Sequence, residues 1–151
     1  MANEKEESFR RRIGQNIKPL PGVIELLRSL KEHSFKMALA SSAPMENIQL
    51  LTRSLGISSY FQSIISDEDV TEGKPSPQVF QLAAQKLEAE PENCIVIEDA
   101  ITGVTAAKRA GMHCLAVTTT HPGHSLMEAD LVVDTLEKVS GNNLEGLINP
   151  S

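Results

Sequence analysis

Two hydrophobic rhythms alternate along the chain, and turn residues mark each change between them. Residues 3–16 are dense in charge and read as a helix or a frayed arm. Pro19-Leu20-Pro21-Gly22 is a cluster of breakers. The segment VIELLRSLKEHS (23–34) then sets Val23, Leu26, Leu27 and Leu30 on one helical stripe, with Pro21 suited to the first turn. FKMALA (35–40) is a short apolar run between polar residues, the pattern of a buried strand. Ser41-Ser42-Ala43-Pro44 reads as a turn that caps the next helix, MENIQLLTRSLG, which stops at Gly56. FQSIIS supplies a second strand, and the acidic loop Asp67-Glu68-Asp69 leads to Gly73-Lys74-Pro75-Ser76-Pro77.

A helix follows whose apolar face is Val79, Phe80, Leu82, Ala83 and Leu87, and Pro91 breaks it. CIVIE (94–98) is a third strand, and its unbroken apolar character predicts burial on both faces, as in parallel sheets. Asp99-Ala100 opens the helix ITGVTAAKRAG. MHCLAVTT is a fourth strand, with Met112 and Leu115 as core candidates. HPGHSLMEA is a loop with a short helix, DLVVD a fifth strand, and the tail holds a terminal helix. Strands alternate with helices. That order predicts an α/β domain of three layers with a mostly parallel sheet and right-handed crossovers.

A length of 151 residues suits one domain with a sizeable core. Charge bears on partners: 14 Lys+Arg against 20 Asp+Glu leaves a net charge of −6. An acidic chain without Trp argues against nucleic acid as a partner, and the Arg10-Arg11-Arg12 run is too short to change that. No apolar run approaches the ~20 residues of a membrane span, and the first residues carry no apolar core of a secretory signal. Cys94 and Cys114 sit in apolar runs and read as reduced, buried thiols, which suits a cytoplasmic location. His121 and His124, in a Pro-Gly loop, read as loop residues and not as a metal pair.

In open parallel sheets, ligands bind beyond the carboxyl ends of the strands. Ser41 and Ser42 follow FKMALA, Lys74 lies in the loop after the second strand, and Glu98 and Asp99 follow CIVI. Two hydroxyls, an ammonium and two carboxylates on one sheet edge suit a magnesium-dependent phosphate site. Hydroxyls and helix amides hold phosphate oxygens, a lysine neutralises developing charge, and carboxylates hold Mg²⁺. Each element alone has a plainer explanation: a helix cap for the serines, a surface loop for Lys74, a helix-entry acid pair for Glu98-Asp99.

LASS (39–42), GKPSP (73–77) and VIEDAITGVTAAKRAGM (96–112) resemble three motifs of the haloacid dehalogenase superfamily of phosphatases and phosphomutases. The similarity runs from about Leu20 to the C-terminus. It is nearest to the branch of β-phosphoglucomutase and small sugar-phosphate phosphatases. The resemblance implies a Rossmann-like core and a small phosphorylated metabolite as substrate. It implies that Ser41 binds the transferring phosphoryl group with help from the Ser42 amide, that Lys74 bridges nucleophile and phosphate, and that Asp99 ligates Mg²⁺ with Glu98 direct or through water.

The family's first motif, an Asp-x-Asp-x-Thr at the end of a central first strand, has no counterpart upstream of Leu20. It supplies the aspartate nucleophile. Asp67-Glu68-Asp69 lies just before Lys74 and is read as loop. Residues 1–19 are read as the remnant of a cap helix or an arm, and 20–151 as a partial core domain. Two functions stay open: a phosphatase or phosphomutase-type domain that is inactive as this chain, and a non-catalytic phosphate- and Mg²⁺-binding or assembly module. Without the first strand, FKMALA and CIVIE present unpaired edges to each other. Dimerisation is the preferred relief, ahead of direct closure, and the charge of the arm disfavours its insertion.

Overall fold

A computed structural model of the chain describes residues 21–149. The expected cap remnant at residues 1–19 therefore lies outside the described residues. Among the described residues there are five short strands: β1 (Ala38–Ala40), β2 (Ser63–Ile65), β3 (Ile95–Glu98), β4 (His113–Val117) and β5 (Leu131–Val133). The helices are α1 (Val23–Glu32), α2 (Met45–Ser54), α3 (Gln78–Lys86), α4 (Ile101–Arg109) and α5 (Gly141–Ile148). Each strand and helix expected within the described residues exists, and the strands are one to three residues shorter than the apolar runs that predicted them.

All strand pairs are parallel, but the strands form two sheets: β1 with β2, and β3-β4-β5. Helices cover both faces. Along β4, Cys114 and Ala116 pack with Val79, Phe80 and Val104 of α3 and α4. Leu115 and Val117 pack on the opposite side with Leu26 and Leu30 of α1 and Leu144 of α5. This period of two is the geometry of a strand buried on both faces, so the three-layer α/β expectation holds. Met112 and Leu115 are buried as expected.

Two local expectations are corrected. The serines do not cap α2: Pro44, in extended conformation, stands at its N-cap, and the Met45 amide donates to Glu68 Oε1 at 3.3 Å. The start of α1 is set by Gly22 (φ +87°), where a Cβ would meet the backbone of Leu136 and Glu137, and Pro21 lies outside the helix.

β1 and β3 do not close on each other. A cleft of about 500 Å³ separates them, lined by Ala38–Ala40 on one side and Ile95–Glu98 on the other.

Both cysteines are free. Burial, with the charges of Glu98 and Asp130, pushes the Cys114 thiol up to about 12, and Cys94, half-buried, is also raised. Because the thiolate is the reactive form, alkylation of the native chain at pH 8 should modify Cys94 slowly and leave Cys114 untouched until denaturant is added. Mass spectrometry of peptides checks this, and early labelling of Cys114 would contradict the packing of β4. Leu115→Ala should cost about 2–5 kcal/mol in denaturant unfolding, the range for a fully buried leucine.

Candidate active site

The candidate residues stand at or after the carboxyl ends of β1, β2 and β3. Ser41 extends β1, its amide donating to the Ile65 carbonyl at 3.0 Å. Its Oγ accepts from the Ala43 amide at 3.1 Å, which shapes the turn into α2. Ser42 is exposed.

The loop from β2 to α3 is built to hold Lys74. Ser66 and Asp69 close a capping box, with Asp69 Oδ2 accepting from the Ser66 amide at 2.8 Å. Gln78 Oε1 accepts from the amides of Thr71 and Glu72 and from the Thr71 hydroxyl. Arg109 Nη1 donates to the Pro75 carbonyl at 3.4 Å, fastening the far side. The Lys74–Pro75 peptide is cis. Lys74 Nζ stands 5.0 Å from the centroid of the Phe80 ring and donates to Glu98 Oε2 at 3.0 Å.

That ion pair is mostly buried, with the two side chains 14% and 11% exposed. Glu98 Oε1 accepts from the amides of Asp99 and Ala100 at 3.2 and 3.3 Å, at the entrance to α4. Asp99 follows, and its Oδ2 accepts from the Thr120 hydroxyl at 2.7 Å. Lys74, Glu98 and Asp99 thus share one neighbourhood. Ser41 follows Ala40, which lines the same cleft as Glu98.

Four contributors were given no role in the site from the sequence. Gly103, inside α4, leaves the space that Glu98 occupies, since a Cβ there would lie 2.0 Å from Glu98 Cδ. Phe80 backs the ammonium, Thr120 orients Asp99, and Arg109 holds the loop. A glycine within an otherwise helical run was the one visible signal for Gly103.

The spacing Asp-x-Asp-x-Thr does occur, at Asp67–Thr71, behind β2. There it serves the loop: Asp69 completes the capping box and Thr71 is bound to Gln78. His121 and His124 join no cluster, and no group of three or more His, Cys, Asp or Glu able to hold a metal exists among the described residues.

A family model for haloacid dehalogenase-like hydrolases matches residues 2–117. The chain belongs to this family. Among haloacid dehalogenase-like relatives, it is 37% identical over 147 residues to the chloroplastic 5-amino-6-(5-phospho-D-ribitylamino)uracil phosphatase of Arabidopsis thaliana, covering 97% of this chain and 39% of that protein. It is 40% identical over 114 residues to the β-phosphoglucomutase of Bacillus subtilis, covering 76% of this chain and 48% of that protein. The crystal structure of β-phosphoglucomutase from Clostridium difficile superposes with a TM-score of 0.87 at 31% identity, covering 98% of this chain and 65% of that one. The chain therefore spans about two-fifths to two-thirds of the length of these haloacid dehalogenase-like proteins.

Gly103→Ala tests the seat of Glu98. Replacing glycine by alanine inside a helix ordinarily stabilises by about 0.5–1 kcal/mol. Here the new methyl expels the Glu98 carboxylate and strands both Lys74 and two amides, each loss costing about 1–3 kcal/mol. The expected outcome in urea unfolding is net destabilisation, partly reversed in Gly103→Ala/Glu98→Ala, where the space is vacated. Simple stabilisation by Gly103→Ala would contradict the contact.

Proposed function

We propose that this chain carries the phosphate- and magnesium-binding part of a phosphoryl-transfer site for a small phosphorylated metabolite of the sugar-phosphate kind. The reading rests above all on one observation: the ammonium of Lys74, on a loop fixed by its own hydrogen bonds, donates to Glu98, the residue before Asp99. A fixed ammonium and a pair of adjacent acidic residues are the kind of groups that transfer of a charged phosphoryl group uses.

Each residue takes a role from its surroundings. Ser41, whose Oγ already accepts from Ala43, keeps its hydroxyl proton to donate to a phosphate oxygen, with the Ser42 amide beside it. Lys74 shifts part of its charge from Glu98 to the phosphate and the attacking group. The donor set fits magnesium: Asp99 keeps one carboxylate oxygen clear of Thr120, and both oxygens of Glu98 are engaged. Asp99 would ligate directly and Glu98 through water, which suits an ion that retains several waters. When bound, Mg²⁺ supplies charge neutralisation at the phosphoryl oxygens.

The relatives support the substrate class: the Arabidopsis protein's name specifies a phosphorylated ribitylaminouracil and the Bacillus protein's name a phosphorylated glucose. The free thiols suit a reducing compartment such as the cytoplasm. No helix among the described residues is long and apolar enough to cross a membrane. Among the described carboxylates, Glu98 and Asp69 are tied into local structure and Asp99 is assigned to the metal, which leaves none of the three as the attacking group. On this reading the 151 residues by themselves bind phosphate and do not turn it over.

Two measurements test this together. Inorganic phosphate with Mg²⁺, followed by calorimetry, should bind weakly to the chain and at least tenfold more weakly to Lys74→Ala and Asp99→Asn. Hydrolysis of a chromogenic phosphate monoester should stay at the blank rate. Equal phosphate binding by the variants would defeat the site. Turnover that survives purification and vanishes in Asp99→Asn would defeat the claim that the nucleophile is absent.

A further inference from the structure

The carboxyl end of α1 is joined to the start of α5 through one histidine ring. His33 follows α1. Its Nδ1 lies 2.8 Å from the Ser29 carbonyl oxygen, and its Nε2 lies 2.9 Å from Asn142 Oδ1. Both partners are acceptors, so the arrangement calls for an N–H on each ring nitrogen, which only the imidazolium has. The ring rests against Gly141, where a Cβ would lie 2.5 Å from Nδ1, so it fills the space that a side chain there would need. Ser29 makes a second bond across the same junction, its Oγ accepting from the Gly141 amide at 2.9 Å.

We propose that His33 is a pH-sensitive clasp that holds α5 on α1 while its ring is protonated and loosens it as the proton leaves. The ring stands at the carboxyl end of a helix, where positive charge is favoured. The bond to the Ser29 carbonyl, and then that to Asn142, raise the affinity of the ring for its proton above the ordinary value. The carboxylates of Glu145 on α5 and Glu32 on α1 add to this. The ammonium groups before and after His33 in the chain are turned elsewhere, Lys31 over the Tyr60 ring and Lys36 to the Leu87 carbonyl. An open cleft of about 520 Å³ beside His33, Asn142 and Glu145 gives the proton a path to water.

The clasp secures the packing of α5, whose Leu144 is buried with Leu26 and Leu30 of α1 and with Leu115 and Val117 of β4. When the proton leaves, one ring nitrogen turns a lone pair toward an oxygen. Because the folded midpoint is raised, the contribution of the clasp is complete below the ordinary histidine midpoint and is lost as pH rises through the folded one. The rival arrangement is a neutral ring that accepts from Asn142 Nδ2 with the amide turned over. It leaves α5 equally secured at every pH. The inference stands apart from the phosphate reading.

The test uses the full 151-residue chain. NMR follows the His33 ring through a pH titration, in buffer and in urea. Hydrogen exchange is read at the amides of Leu144–Ile148, each rate divided by the intrinsic rate at that pH. The native midpoint should lie above the midpoint in urea. Protection of α5 should fall as pH rises, tenfold in total for each unit that separates the two midpoints. In His33→Gln this pH dependence should vanish. Asn142→Ala, at an exposed position, is the second variant: it should lower the native midpoint and shrink the loss of protection with it. Three results would overturn the proposal: a native midpoint no higher than that in urea, protection of α5 that does not follow the His33 titration, or the same pH dependence in either variant as in the unaltered chain.

Discussion

The two half-sheets are tied together by side chains where a backbone ladder would ordinarily run. The Lys74–Glu98 ion pair is the tie at the functional edge: Lys74 belongs to the loop after β2, and Glu98 ends β3. The open cleft lies between their sheets. Helix α3 makes the second connection, since Phe80 and Ala84 belong to the core shared by Ile65 of β2 and Val96 of β3. A pair this sheltered from water is costly to break from one side only. The geometry of the site therefore depends on it.

From that constraint the rest of the site follows. Glu98 reaches Lys74 because Gly103 offers no side chain, and its other oxygen fixes the first amides around the α4 entrance. With Glu98 occupied in this way, Asp99 is the carboxylate with an oxygen to spare. The same neighbourhood reaches into the core, where the negative charge of Glu98 is among the causes that raise the Cys114 thiol. Local backbone bonds, the ion pair and the hydrophobic packing of β4 are thus one arrangement.

Much of this was legible from the chain alone. The switch between strand and helix rhythms marked every strand and α-helix of the described residues, because burial on both faces writes a continuous apolar run and burial on one face writes a stripe. The candidate residues were legible because strand ends in a parallel sheet gather at one edge. What the pattern could not carry is contact across distance. Thr120 meets Asp99 from a loop twenty-one positions later, and no periodicity encodes that. The role of Pro44 in place of the serines at α2 depends on Glu68, which arrives from the β2 loop. The expectation that the gap between the half-sheets would be relieved within a dimer concerned a second molecule, and a single chain shows the open cleft itself.

The central claim is that Lys74 and Glu98 act on each other across the two half-sheets. A double-mutant cycle with Lys74→Met and Glu98→Gln, read by urea unfolding, measures that interaction directly. The account predicts that the single variants are each destabilised and that the double variant loses less than their sum, with a coupling of about 1–3 kcal/mol. Additive effects, within about 0.5 kcal/mol, would contradict it.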